Sequence, residues 1–166
     1  VSDWQYRLSE KKDLILRSQG ETKNPHITMA PYENNLNINI SSTSPGNKTN
    51  NNDCTIRNFP LQRWTHLLVS LNNRTLDVYL DGKLVRTCIL SGVAKPVGES
   101  DVLITPNGGF SGWTSRFRTW SKPLNPQEVF NVYREGPGST GTSFLDRYKL
   151  RVSYYVDNVE QGSFSF

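Results

Sequence analysis

The chain has 166 residues, 35 % hydrophobic and 11 % aromatic, enough for one domain with a real core and too many for a disordered polymer. Twelve Gly and nine Pro favour many turns over long helices, and no apolar run approaches the roughly 20 residues that a membrane helix needs. The net charge of +4 comes from basic residues interspersed with acids, a pattern of wet faces rather than of a nucleic-acid groove, so no nucleic-acid partner is expected.

In chain order, the dominant period is two. Trp4, Tyr6 and Leu8 share one face, and Leu14 and Leu16 align in the next segment. "NNLNINI" alternates strictly, with Leu36, Ile38 and Ile40 against Asn35, Asn37 and Asn39, which predicts a half-buried strand. "SSTSPGNKTNNND" reads as a polar loop, and "CTIRNF" as a strand stopped by Pro60. Leu67, Val69 and Leu71 then align, "NNR" turns the chain, and Leu76, Val78 and Leu80 align again. Asp81-Gly82 is a hairpin signal because both residues tolerate positive φ, and Leu84 to Leu90 forms the third strand. Such a meander has one apolar face and must cover a second sheet.

"DVLITP" predicts a short strand, and "GWTSRFRTW" another, with Trp113 and Phe117 on one side and Arg116, Arg118 and Trp120 on the other. One helix is predicted near 125–135: Asn125 caps, Pro126 takes the first turn, Glu128 reaches back and Gly136 ends it. After a Gly-rich link, Tyr148, Leu150, Val152, Tyr154 and Val156 face in while Tyr155 faces out, and "GSFSF" adds a short strand. About ten short strands with tight turns predict an all-β, antiparallel two-sheet jelly-roll sandwich spanning 1–166 as a single domain.

Cys54 and Cys88 lie in no C-x-x-C pair, and His26 and His66 do not complete a zinc spacing, so no metal site is predicted from them. In an oxidising compartment the two cysteines pair; the alternative is two buried thiols. Exposed aromatics stack on sugars, which makes Tyr32, Trp113, Trp120 and Tyr155 candidates for glycan or partner contact, against the plainer reading that the Trp residues are core. Asn39, Asn47 and Asn73 each open an N-x-S/T sequon.

The ordered set Trp64–His66, Val78–Gly82, Gly109–Trp120 and Leu124–Tyr133 resembles the laminin-G-like, concanavalin-A-like family of lectin and glucanase jelly rolls, over about Trp4 to Pro137. The two cysteines are placed as in the pentraxin-like branch, where the resemblance implies a bridge between neighbouring strands. "LDRYKLRVSYYVDN", Leu145 to Asn158, is similar to the ending of the version found in large DNA viruses of algae and protists. That likeness implies a minor structural module of a virion, on a capsid or membrane, with capsid or membrane proteins or glycans as partners; outside a virion, an extracellular location is expected. The family opens with an apolar strand that Val1 enters part-way, so upstream sequence, including a membrane anchor, is expected.

Glucanases of this fold resemble one another in an E-x-D-x-E strand that supplies nucleophile and acid. The chain has no such motif, and a non-enzymatic role is expected. The alternative function is a carbohydrate-binding lectin, calcium-assisted if Thr49 to Asp53 offers its oxygens as ligands; no other cofactor is expected.

Overall fold

A computed structural model describes residues 1–3, 7–46 and 48–137, and the strands 151–156 and 159–165. Its elements are β1 (Lys12–Gln19), β2 (Thr22–Met29), β3 (Leu36–Thr43), β4 (Thr49–Ile56), β5 (Leu67–Asn72), β6 (Thr75–Leu80), β7 (Lys83–Ile89), β8 (Val93–Ala94), β9 (Val102–Ile104), α1 (Pro126–Arg134), β10 (Arg151–Val156) and β11 (Val159–Ser165). A six-stranded antiparallel sheet runs β4-β3-β2-β1-β9, with β8 also paired to β3. A three-stranded sheet, β5-β6-β7, packs against it, and β10 pairs with β11. This is the expected all-β, two-sheet sandwich with one short helix.

Alternation explains the packing. In β3, Leu36, Ile38 and Ile40 point inward beside Ile27, Met29, Cys54 and Ile56 of the neighbouring strands. The pairs Leu67↔Leu80, Val69↔Val78 and Leu71↔Leu76 put one apolar face of the β5–β6 hairpin on that same core. Each fully buried Leu or Ile contributes about 1.5–3 kcal/mol relative to exposure. The hairpin's other face carries Leu68 and Tyr79, which pack on Val129 of α1 and on Leu124. The β5–β6 hairpin is therefore covered on both sides. Asp81 (φ 49) and Gly82 (φ 74) both adopt the left-handed conformation expected of the hairpin turn.

Helix α1 starts as its sequence predicts. The Asn125 side chain accepts from the Glu128 amide at 2.9 Å, and the Glu128 carboxylate accepts from the Asn125 amide at 2.8 Å. Pro126 occupies the first turn, where its missing N–H costs nothing, and Gly136 (φ 69) follows the end.

Five segments differ from the alternation reading. Thr49–Asp53 is part of strand β4 rather than loop, because its asparagines find partners across the ladder. Asn52 Nδ2 donates to the Ile40 carbonyl (3.0 Å) and to Ser42 Oγ (2.9 Å), replacing apolar packing with hydrogen bonds. Thr22–Met29 forms β2, although its first half, TKNP, holds a proline and no alternation. Gly112–Trp120 is not a strand. Arg116 (φ 54) turns left-handed there, and its guanidinium donates to the carbonyls of Glu135 (2.8 Å) and Gly136 (2.9 Å), so the segment is tied to the end of α1 instead of to a sheet. At the N-terminus, Arg7 to Ser9 is a turn, while Trp4 to Tyr6, like Leu145 to Leu150, lie outside the described residues. β11 is longer than the strand expected at "GSFSF".

Candidate functional site

The register defines two ends of the sandwich. Lys12↔Met29, Met29↔Leu36 and Leu36↔Ile56 are the last rungs at one end. From that end leave the loops 30–35 and 57–66, the segment 105–112 and the N-terminal residues. The Asp81-Gly82 hairpin lies there too, its Asp81 amide donating to the His66 carbonyl at 2.9 Å. Left-handed residues other than glycine gather in the same loops: Arg7, Asn58, Gln62, Asp81, Thr105 and Asn107. Irregular backbone held by a rigid sheet is where binding groups are best displayed.

An open depression of about 770 Å³ lies between loops 30–35 and 57–61, lined by Tyr32, Glu33, Asn34, Asn35, Thr55, Arg57, Asn58 and Leu61. Its walls are stitched by the backbone. The Phe59 amide donates to the Asn34 carbonyl (2.6 Å), the Ala30 amide to the Asn35 carbonyl (2.9 Å), and the Asn58 amide to Asn35 Oδ1 (3.2 Å). Asn35 Nδ2 donates in turn to Glu33, orienting that carboxylate. Tyr32 is 69 % exposed, and its ring meets no other aromatic ring among the described residues. Arg57 is exposed and forms no ion pair among the described residues. The arrangement offers a flat apolar ring, amide donors and acceptors, one cation and a single carboxylate. That set suits a hydroxyl-rich ligand lying across a tyrosine.

The structure places the other expected contact residues elsewhere. Trp113 is 81 % exposed and Trp120 42 % exposed, so neither is core, and neither lines the depression. Trp113 still belongs to the same end. Two residues before it, the Ser111 carbonyl accepts from the Ser2 amide at 2.8 Å, and the Val1 carbonyl accepts from the Gln62 amide, next to Leu61, at 2.9 Å. Tyr155 lies in β10, and its side chain is outside the described residues. Glu33, Asn34, Asn35, Arg57 and Asn58 were not candidates from the sequence. The signal that finds the first three is "YENN", an aromatic followed by turn-forming amides; Arg57 and Asn58 carry no such local signal.

Cys54 and Cys88 are joined in a disulfide. The bridge joins strands β4 and β7, which lie beside one another at the edges of the two different sheets. The Thr49–Asp53 oxygens do not converge in a loop. They alternate along β4, where Asp53 Oδ1 accepts from Asn39 Nδ2 at 2.8 Å and Asn51 Oδ1 from Ser41 Oγ at 2.8 Å. Among the described residues, no group of three or more His, Cys, Asp or Glu side chains converges to hold a metal.

Both histidines are built into the frame. His26 Nε2 meets Asp13 Oδ1 at 2.8 Å, and Asn107 Nδ2 donates to Asp13 Oδ2 at 2.7 Å. No hydroxyl or thiol bonds the His26 ring among the described residues, so the pair lacks a nucleophile. His66 stacks obliquely on Tyr133, with ring centroids 5.9 Å apart, and its buried Nδ1 has no hydrogen-bond partner among the described residues. Burial pushes its pKa below the ordinary value of 6.5, opposed in part by Asp81.

The family model for the concanavalin A-like lectin/glucanases superfamily (Laminin_G_3) matches residues 1–130. A solved S-layer domain-containing protein from Clostridium thermocellum aligns at 12 % identity and a TM-score of 0.35, over 75 % of this chain and 64 % of that one. The chain thus spans less than two thirds of that structure's length.

Proposed function

The chain belongs to the concanavalin A-like lectin/glucanases superfamily, and on that premise we propose that it is a non-catalytic binding module whose Tyr32 depression holds a glycan. One observation carries the reading: a largely exposed tyrosine stands beside Asn34, Asn35, Asn58 and Arg57 on backbone that is itself hydrogen-bonded in place. The ring covers a sugar face, and the amides exchange hydrogen bonds with hydroxyls. A non-enzymatic role is supported by chemistry, since glycoside hydrolysis takes two facing carboxyl groups and Glu33 is the single carboxylate of the lining. Glycan binding without calcium is the form proposed, because the Asn-rich stretch spends its oxygens on neighbouring strands.

Contact with protein is the second reading, favoured by Leu84, Val85 and Ile89, which leave β7 exposed. The disulfide supports an oxidising, extracellular setting. A virion surface with capsid or membrane partners is a finer version of that setting. It rests on the resemblance of residues 145–158, and immunogold labelling of purified particles tests it.

The experiment for the main reading is titration of the isotope-labelled chain with neutral oligosaccharides, followed by NMR. Shifts confined to loops 30–35 and 57–61, weakened about tenfold by Tyr32→Ala, support it. Absence of any shift across a broad oligosaccharide panel rejects it.

A further inference from the structure

The structure separates the sequons that the sequence presents as equals. Asn39 sits in the middle of β3, paired to His26 of β2 on one side and to Asp53 of β4 on the other. Its Nδ2, the atom that would carry a sugar, donates to Asp53 Oδ1 at 2.8 Å. The hydroxyl that completes this sequon belongs to Ser41, which is 0 % exposed and bonded to Asn51 and to the Lys23 amide. An oligosaccharide on Asn39 Nδ2 would displace the bond to Asp53 and stand over the half-buried outer face of β2, β3 and β4. Asn47 lies outside the described residues.

Asn73 differs in each respect. It occupies the turn between β5 and β6, just beyond the terminal pair Asn72↔Thr75, with φ 56. Asn72, Asn73 and Arg74 are all exposed, and the Asn73 side chain has no hydrogen bond among the described residues. The turn is nonetheless held: the Leu90 amide donates to the Arg74 carbonyl at 2.8 Å, and the Arg74 guanidinium donates to the Leu90 carbonyl at 3.1 Å. Strand β5 runs away from loop 57–66, so this turn projects from the end of the sandwich opposite Tyr32. The disulfide independently points to the oxidising compartment in which such modification takes place.

We propose that Asn73 is an N-glycosylation acceptor of this protein and that Asn39 is not. In the transfer, Asn73 Nδ2 forms a bond to C1 of a lipid-linked oligosaccharide. The C1–O bond to the lipid pyrophosphate breaks, the lipid pyrophosphate leaves, and one amide proton is released. The product carries its glycan on the end opposite the ligand depression, so modification leaves the depression open.

The test is secretion of the chain from a eukaryotic cell, followed by peptide mass mapping before and after enzymatic removal of N-glycans. The Asn73 peptide is expected to carry the oligosaccharide and the Asn39 peptide to be bare. Asn73→Gly, which suits the positive φ, and Thr75→Val, which removes only the hydroxyl, should each abolish modification at the turn while secretion continues. A bare Asn73 peptide in the secreted chain, or an oligosaccharide on Asn39, overturns the proposal.

Discussion

Cys54 and Cys88 tie the outermost strand of the larger sheet to the outermost strand of the smaller one, with their Cα atoms 6.0 Å apart. The hydrogen-bond ladders hold each sheet together but do not join the two. Among the described residues, the two sheets are joined by side-chain packing, by the bond between the Arg86 guanidinium and the Thr55 carbonyl (2.6 Å), by bonds from Ser91, just past β7, to Ser42 and Asn52, and by this covalent link. Closing a 34-residue loop removes conformational freedom from the unfolded chain worth about 3–4 kcal/mol. The double variant Cys54→Ala/Cys88→Ala is expected to lose about that much stability in denaturant titration, while NMR shifts in loops 30–35 and 57–61 stay close to those of the parent.

Gly82 stands close against α1. A Cβ on Gly82 would come within 3.0 Å of Tyr133 and 3.2 Å of Phe130, at φ 74. Gly82→Ala is expected to cost about 1–2 kcal/mol from backbone conformation alone. Loosening of α1 should accompany it, read as faster amide exchange from Val129 to Tyr133.

At the start of α1, Asn125→Ala removes the acceptor for the Glu128 amide and should cost about 1 kcal/mol by chemical denaturation. Asn125→Asp keeps an acceptor and should be near neutral.

Stability should fall on acidification in two stages. The pKa of His66 is lowered by burial, so the unfolded chain takes up this proton first; its contribution is complete above pH 6.5 and is lost as pH falls from there through the folded value. The Glu128 pKa is lowered by the Asn125 backbone amide, and the Glu135 pKa by hydrogen bonding to Arg118. Their contributions are present above the ordinary value of 4.5 and fade below it. Melting temperature against pH should therefore bend below 6.5 and again below 4.5. His66→Phe should remove the upper bend, and Glu128→Gln should weaken the lower one. A flat profile between pH 7 and 5 in the parent would contradict the assignment to His66.

Much of the architecture is legible in the chain because period-two burial is a local property. Leu36, Ile38 and Ile40, or Leu76, Val78 and Leu80, need one apolar neighbour surface, and alternation alone tells which side faces it. The cap of α1 and the Asp81-Gly82 turn are equally local, each closed within four residues. Where a partner far along the chain decides the outcome, local pattern fails. Asn50 and Asn52 lie in a strand because Ser42, Ser44 and Ser91 receive them. Arg116 leaves a strand pattern because the carbonyls at the end of α1 draw its guanidinium.

The same division runs through the candidate site. Tyr32 as a candidate for contact, the pairing of Cys54 with Cys88 in an oxidising setting and the absence of an E-x-D-x-E strand could all be read from residue types. That Tyr32 would share a depression with Arg57 and Asn58 while Trp113 stands outside it, that the disulfide would cross between sheets, and that Asn39 would be bonded to Asp53 in mid-strand while Asn73 is exposed in a turn were decided only by the fold. Alternation specifies which way a side chain points from its own strand. Which strand ends and loops lie beside one another follows from sheet order and register, and those are set by pairing energies summed over the whole sandwich.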